Sequence, residues 1–119
     1  MKNVLIIDDE QDTLFLMNLL LTKYGYEVHT MSSGENAVET VESLHPDAVI
    51  LDVKLDKNYD GRDICKKIKE NPLTNKTKII LNSGNITPDE RATGFCEDAF
   101  MSKPIKSADL INKLNHLTK

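Results

Sequence analysis

The sequence predicts an α/β fold, a doubly wound parallel sheet of five strands with five helices, and three observations carry that prediction. Short runs of aliphatic and β-branched residues recur along the 119 residues and read as strands buried on both faces. The segments between them return apolar residues every three or four positions, the helical period. Strand and helix then alternate to the end of the chain. Such alternation implies parallel strands joined by right-handed crossovers, with helices on both faces of the sheet.

The elements follow in order. Val4-Leu5-Ile6-Ile7 is a buried strand that runs straight into Asp8-Asp9-Glu10. A helix over roughly 11–24 places Thr13, Leu16, Met17, Leu20 and Leu21 on one face, with Gly25 as a left-handed stop. On the same wheel Phe15 and Leu19 fall together, away from that face. Glu27 to Met31 is a second strand. Ser32-Ser33-Gly34-Glu35 has capping-box spacing ahead of a helix carrying Ala37, Val38, Val41 and Leu44, and His45-Pro46 ends it. Ala48-Val49-Ile50-Leu51-Asp52 repeats the opening pattern of a buried strand ending in an acid. Asp60 caps a third helix with Ile64, Cys65 and Ile68 inward, closed by Asn71-Pro72. Lys78 to Ser83 is the fourth strand. Thr87-Pro88-Asp89-Glu90 starts a short fourth helix that Gly94 interrupts. Asp98 to Ser102 is the fifth strand and leads into Lys103-Pro104. A last helix over roughly 107–117 packs through Leu110, Ile111, Leu114 and Leu117.

Length suits one domain, residues 1–119, with a single core. A net charge of −4, with no basic run longer than Lys66-Lys67, argues against nucleic acid as a direct partner. No stretch approaches the roughly 18 apolar residues of a membrane span, and no signal-peptide pattern opens the chain, so a cytoplasmic protein is expected. Cys65 and Cys96 lack metal-ligand spacing and read as reduced core thiols.

Parallel strands put their carboxyl ends on one rim. The groups closing strands one, three, four and five are Asp8 and Asp9, Asp52, Ser83 and Lys103. Taken singly, each has an ordinary reading as a helix cap, a surface charge or a partner for a backbone group. Their convergence carries the inference. Three carboxylates against one ammonium leave about two uncompensated negative charges, and two carboxylates about 4 Å apart repel by about 4 kcal/mol at an effective dielectric of 20. A divalent cation matches that deficit, and carboxylates with a backbone carbonyl and water suit Mg²⁺. A carboxylate can also act as a nucleophile toward phosphorus, with lysine and hydroxyl holding the phosphoryl oxygens.

In Ile6-Ile7-Asp8-Asp9-Glu10, Val49-Ile50-Leu51-Asp52, Asp60-Gly61, Leu81-Asn82-Ser83-Gly84 and Phe100-Met101-Ser102-Lys103-Pro104, the whole chain resembles the receiver domains of two-component response regulators, the CheY-like superfamily. The resemblance implies a flavodoxin-like sheet of order 2-1-3-4-5. It implies Asp52 as phosphoacceptor and Lys103 and Ser83 as contacts to the phosphoryl group. Mg²⁺ would be held by Asp9, Asp52 and the Lys54 backbone carbonyl, with Asp8 acting through water. Ser83 and Phe100 would be the switch pair, and the Lys103-Pro104 bond would be cis. The implied phosphodonor is a sensor histidine kinase or a histidine phosphotransfer protein, and the output is an unnamed protein target. The resemblance makes the chain a switch with at most weak self-phosphorylation and self-dephosphorylation, not an enzyme.

The chain departs from the family pattern in places. The loop from Asp52 to Gly61 is one residue longer, with Leu55-Asp56 where Met-Pro is usual; Asn82 is polar where an apolar residue is usual; and the span from Ser83 to Lys103 is about two residues short. Other readings share the architecture. One is a receiver-shaped interaction module without phosphate cycling. Another is a Mg²⁺-dependent phosphohydrolase with an aspartate nucleophile, which would want an acid two residues after Asp52, where Lys54 stands. A nucleotide or flavin domain would want a glycine-rich loop after the first strand, where this chain has acids. The 119 residues hold no separate output domain, so the expectation is a stand-alone receiver or one cut from a longer protein.

Overall fold

Alternation of buried strands and amphipathic helices produces a parallel sheet in the computed structural model, which describes residues 2–55, 58–84 and 97–119. The elements are β1 (Asn3–Ile7), α1 (Gln11–Lys23), β2 (Glu27–Met31), α2 (Ala37–Leu44), β3 (Ala48–Asp52), α3 (Gly61–Glu70), β4 (Lys78–Ser83), β5 (Ala99–Ser102) and α4 (Ser107–Leu117). All strand pairs are parallel and the order is β2-β1-β3-β4-β5. Four helices are seen among the described residues; the additional one expected near 87–94, and Cys96, lie outside them.

The pleat sorts the core into two layers. Val4, Ile6, Ile50, Ile80 and Met101 face α1 and α4, packing on Leu14, Met17, Leu21, Leu110 and Leu114. Leu5, Ile7, Val49, Leu51, Ile79 and Leu81 face α2 and α3, packing on Ala37, Val41, Ile64, Cys65 and Ile68. A bond from the Tyr26 hydroxyl to Asn115 Oδ1 at 2.6 Å ties the end of α1 to α4.

Two helices differ from expectation. In α1 the buried stripe is Leu14, Met17 and Leu21, while Leu16 is 63 % exposed beside Phe15 and Leu19. The helix is apolar around most of its circumference, so periodicity alone could not choose between Leu14 and Leu16. The second helix starts at Ala37, a turn later than the capping box implied. Ser33 Oγ is occupied by the Glu35 N–H, and Asn36 takes a left-handed conformation (φ 60°) that cannot propagate a right-handed helix. Gly25 (φ 89°) ends α1 as its missing Cβ allows, and the Asp60 side chain caps α3 by accepting from the Arg62 N–H at 2.8 Å.

The loop after β3 folds back on the strand. The Gly61 N–H donates to the Val53 carbonyl at 2.7 Å, and Lys54 pairs with Asp60 in an antiparallel bridge. A Cβ at Gly61 would overlap the Asp52 carbonyl oxygen, which is backbone and cannot swing aside. Gly61→Ala is therefore expected to displace the end of β3 and to cost at least the ~1–3 kcal/mol of an overpacked site in urea unfolding. A loss below about 0.5 kcal/mol would mean that the loop yields at no cost.

Candidate functional site

Three elements deliver the charged groups to one rim. Asp8 lies just beyond β1, Asp52 is the last residue of β3, and Lys103 follows β5, with its N–H donating to the Ser83 carbonyl at 2.9 Å. Val4, Ile6, Ala48, Ile50, Ala99 and Met101 all face the α1/α4 layer, and two-residue alternation carries Asp8, Asp52 and Lys103 to the same side. Asp8 and Asp52 are buried, at 1 % and 5 % exposure, while Asp9 is exposed at the mouth. Carboxylate oxygens of Asp8, Asp9 and Asp52 lie within 4.8 Å of one another.

Lys103 sits among acids. Its Nζ is 3.1 Å from Asp8 Oδ2, 3.1 Å from Glu10 Oε1 and 3.4 Å from Asp52 Oδ2. Glu10 is the acid that the sequence-based charge count omitted; its signal was its place in the run Asp8-Asp9-Glu10. Asp8 Oδ1 accepts from the Glu10 N–H at 2.9 Å, so Asp8 shapes the entry to α1 without being its cap residue. Buried Asp8 Oδ2 has an ion pair to Lys103 but, among the described residues, no directed hydrogen bond.

The electrostatics follow from this shortage of cations. Burial first, and then repulsion from Asp8, push the Asp52 carboxyl up to about 6; the Lys103 ammonium and the Lys54 backbone amide pull the other way and do not prevail. Burial alone would lower the Lys103 ammonium, but Asp8, Asp52 and Glu10 together hold it above the usual lysine range. Lys103 is shared among three acids, and a buried Asp8 oxygen held only by that shared ion pair, beside Asp9 and Asp52, is a donor set that fits a hard divalent cation.

Ser83 and Phe100 lie on the other face. Ser83 follows Ile79 and Leu81 in the alternation, and Phe100, the register partner of Leu81, is partly buried against the α2/α3 layer. Lys54 has an exposed side chain, and the Lys103-Pro104 bond is cis. Asn82 is buried, and its Oδ1 has no hydrogen-bond partner among the described residues.

The strand order reverses between β1 and β3, and Asp8 and Asp52 close those two strands. Open α/β sheets bind ligands in that crevice. Fold and site together define an open parallel α/β domain with an anionic pocket that calls for a cation, in place of a glycine-rich phosphate cradle. A family model described as the response regulator receiver domain matches residues 4–115. The alkaline phosphatase synthesis transcriptional regulatory protein PhoP of Bacillus subtilis is 39% identical over 111 residues, which are 92% of this chain and 45% of PhoP. The response regulator PleD of Caulobacter vibrioides is 30% identical over 118 residues, 98% of this chain and 26% of PleD. The chain thus spans less than half the length of either curated relative. Among solved structures, a CheY-like receiver domain protein from Methanospirillum hungatei matches with TM-score 0.88 at 24% identity, covering 98% of this chain and 92% of that one. The receiver domain of the sensor histidine kinase PA1611 from Pseudomonas aeruginosa matches with TM-score 0.87 at 23% identity, covering 98% and 97%; that structure holds a magnesium ion in its active-site cleft. This chain belongs to the response regulator receiver domain family of two-component systems.

Proposed function

We propose that residues 1–119 form a receiver that accepts a phosphoryl group on Asp52 from a phosphohistidine on a sensor histidine kinase or histidine phosphotransfer protein. The observation that carries this reading is the gathering of Asp8, Asp9 and Asp52 around Lys103. Asp9, Asp52 and the Lys54 carbonyl would hold Mg²⁺ directly, and Asp8 through water. When bound, Mg²⁺ supplies the positive charge that the three acids lack and offsets charge on the incoming phosphoryl oxygens.

The chain's own residues do the rest. Asp52, raised to about 6, is ionised at pH 7 and presents a carboxylate oxygen to phosphorus. The new O–P bond forms as the N–P bond to the donor imidazole breaks, and the imidazole keeps that electron pair. Lys103 Nζ, 3.4 Å from Asp52 Oδ2, is placed to pair with a phosphoryl oxygen. Ser83 donates its hydroxyl to another oxygen, and Phe100, on the same face of the neighbouring strand, turns inward as Ser83 moves. The altered β4–β5 surface engages a protein target. No helix of the described residues is long and apolar enough to cross a membrane, and the proposed setting is the cytoplasm.

With a small-molecule phosphodonor and Mg²⁺, intact mass should rise by one phosphoryl group in the wild type, and not in EDTA or in Asp52→Asn. A phosphorylated Asp52→Asn at the wild-type rate would refute the assignment. With a beryllofluoride mimic, the Phe100 ring signals should move in wild type and much less in Ser83→Ala; equal movement removes Ser83 from the switch. Phe15 and Leu19 are exposed on α1, the helix that follows the Asp8-Asp9-Glu10 run, and would supply a docking surface for the phosphodonor protein. A Phe15→Ala/Leu19→Ala variant should keep small-donor phosphorylation and lose transfer from the cognate kinase, and unchanged kinase transfer would count against the surface.

A further inference from the structure

Asn82 is out of place in chemical terms. It stands in the buried strand β4, is 1 % exposed, and its Oδ1 lacks a hydrogen-bond partner among the described residues. An apolar side chain of similar shape would remove that unmet demand, so a buried amide oxygen left unpaired in a core strand needs a reason. Register supplies one. Asn82 is the Cα partner of Asp52 across the β3–β4 pair. Ile50 and Ile80, two residues earlier on the same two strands, both face the α1/α4 layer, so Asp52 and Asn82 continue that row side by side. Lys103 reaches the same row two residues after Met101. Asn82 therefore stands between Asp52 and the strand that delivers its lysine.

The amide's two ends have nearly the same shape. A half-turn about χ2 exchanges acceptor for donors without repacking the core, and the local field favours donors, since two buried carboxylates share this face with one lysine. We propose that Asn82 is a positioning residue of the phosphoacceptor site, its side-chain N–H bonding the Asp52 carboxylate from strand β4 and fixing its orientation for attack on phosphorus. Asn82 touches neither the donor nor the transferred group; it acts through Asp52. This inference rests on the reading of Asp52 as the phosphoacceptor.

The experiment uses Asn82→Val and Asn82→Thr, which share a shape and differ by a hydroxyl. Initial rates of phosphorylation by phosphoramidate at saturating Mg²⁺ are read by intact mass, with urea midpoints for stability. Asn82→Val should fold with a midpoint at or above wild type yet accept phosphate about tenfold more slowly, as expected when a reacting group loses its orientation. Asn82→Thr should recover to within about threefold of wild type, because its hydroxyl can still donate. A folded Asn82→Val within twofold of wild type overturns the proposal, and so does equal slowing of both variants, which would make the effect one of packing. The side-chain amide signal of Asn82 is a second readout that needs no substitution at Asn82 and no phosphate: one Nδ2 proton should shift between wild type and Asp52→Ala, and an unmoved pair overturns the proposal. If the wild type itself takes up no phosphate, the Asp52 reading fails, while the amide signal still decides whether Asn82 bonds that carboxylate.

Discussion

Lys103→Met is expected to destabilise the cation-free protein by about 3 kcal/mol, the low end for breaking a buried ion pair by removing one partner. Methionine keeps most of the volume of the lysine stem, so the loss reports charge and not packing. Buried Asp8 and Asp52 then both lose the Lys103 ammonium and face each other without it. The loss stays at the low end because Asp52, already raised to about 6, can take up a proton at modest cost. It should accordingly shrink as pH falls below about 6, where Asp52 is neutral in both proteins. Mg²⁺ at millimolar concentration should restore much of the stability, since a cation binding only the native state stabilises it by mass action. Urea unfolding in EDTA and in Mg²⁺, at pH 5 and pH 7.5, checks all three statements. A variant as stable as wild type in EDTA at pH 7.5 would make Lys103 an ordinary surface charge.

Asp52→Asn is expected to act in the opposite direction. The folded protein holds Asp52 at about 6 against an ordinary value of 3.8, so between these limits the native state binds more protons than the unfolded chain. Stability from this group therefore falls as pH rises through the window from about 4 to about 6, and the full penalty is present above it. A rise of that size corresponds to about 3 kcal/mol, and losing the contact with Lys103 offsets part of the gain. We expect the Asp52→Asn variant to be more stable than wild type by about 1–3 kcal/mol at pH 7 in EDTA and equal to it near pH 3.5. Saturating Mg²⁺ should close much of the gap at pH 7, because the wild type alone keeps all three acids. A less stable variant at pH 7 would mean that Lys103 outweighs burial and Asp8 repulsion. Together the two substitutions make a double-mutant cycle: adding Lys103→Met should cost less in the Asp52→Asn background, because one of its acids is already gone.

Both effects concern groups that could be found before any fold was known. Asp8, Asp9, Asp52, Ser83 and Lys103 each close a short buried run, and parallel strands must bring such ends to one rim. Strands β2 and β4 fall where composition placed them, and the Asp60 cap and the Gly25 stop are visible locally because each depends on one residue and its immediate neighbours. The strand order itself came through the family resemblance; alternation implies a parallel sheet but leaves several orders open.

What required the folded chain is of another kind. Glu10 reaches Lys103 across 93 residues of sequence, and nothing local in either segment specifies that meeting. In α1, Leu14 and Leu16 are equally apolar and lie on opposite sides of the helix, and only docking on Val4, Ile6 and Ile50 decides which is buried. Ser32 and Glu35 satisfy the local rule for a capping box, yet Gly34 must fit against Tyr59 and Ile64, so the chain stays irregular there and α2 begins later. The titration of Asp52 is equally non-local: a carboxylate's pKa depends on how much water remains around it and how many acids share its lysine, and both are properties of four strands brought together. The linear order was enough to mark which side chains carry the chemistry and which periodicities bury the rest. Folding chose which of several equivalent apolar faces turned inward and how the charges at the rim divide a single cation, because packing and Coulomb energies depend on distances between segments that the linear order leaves free.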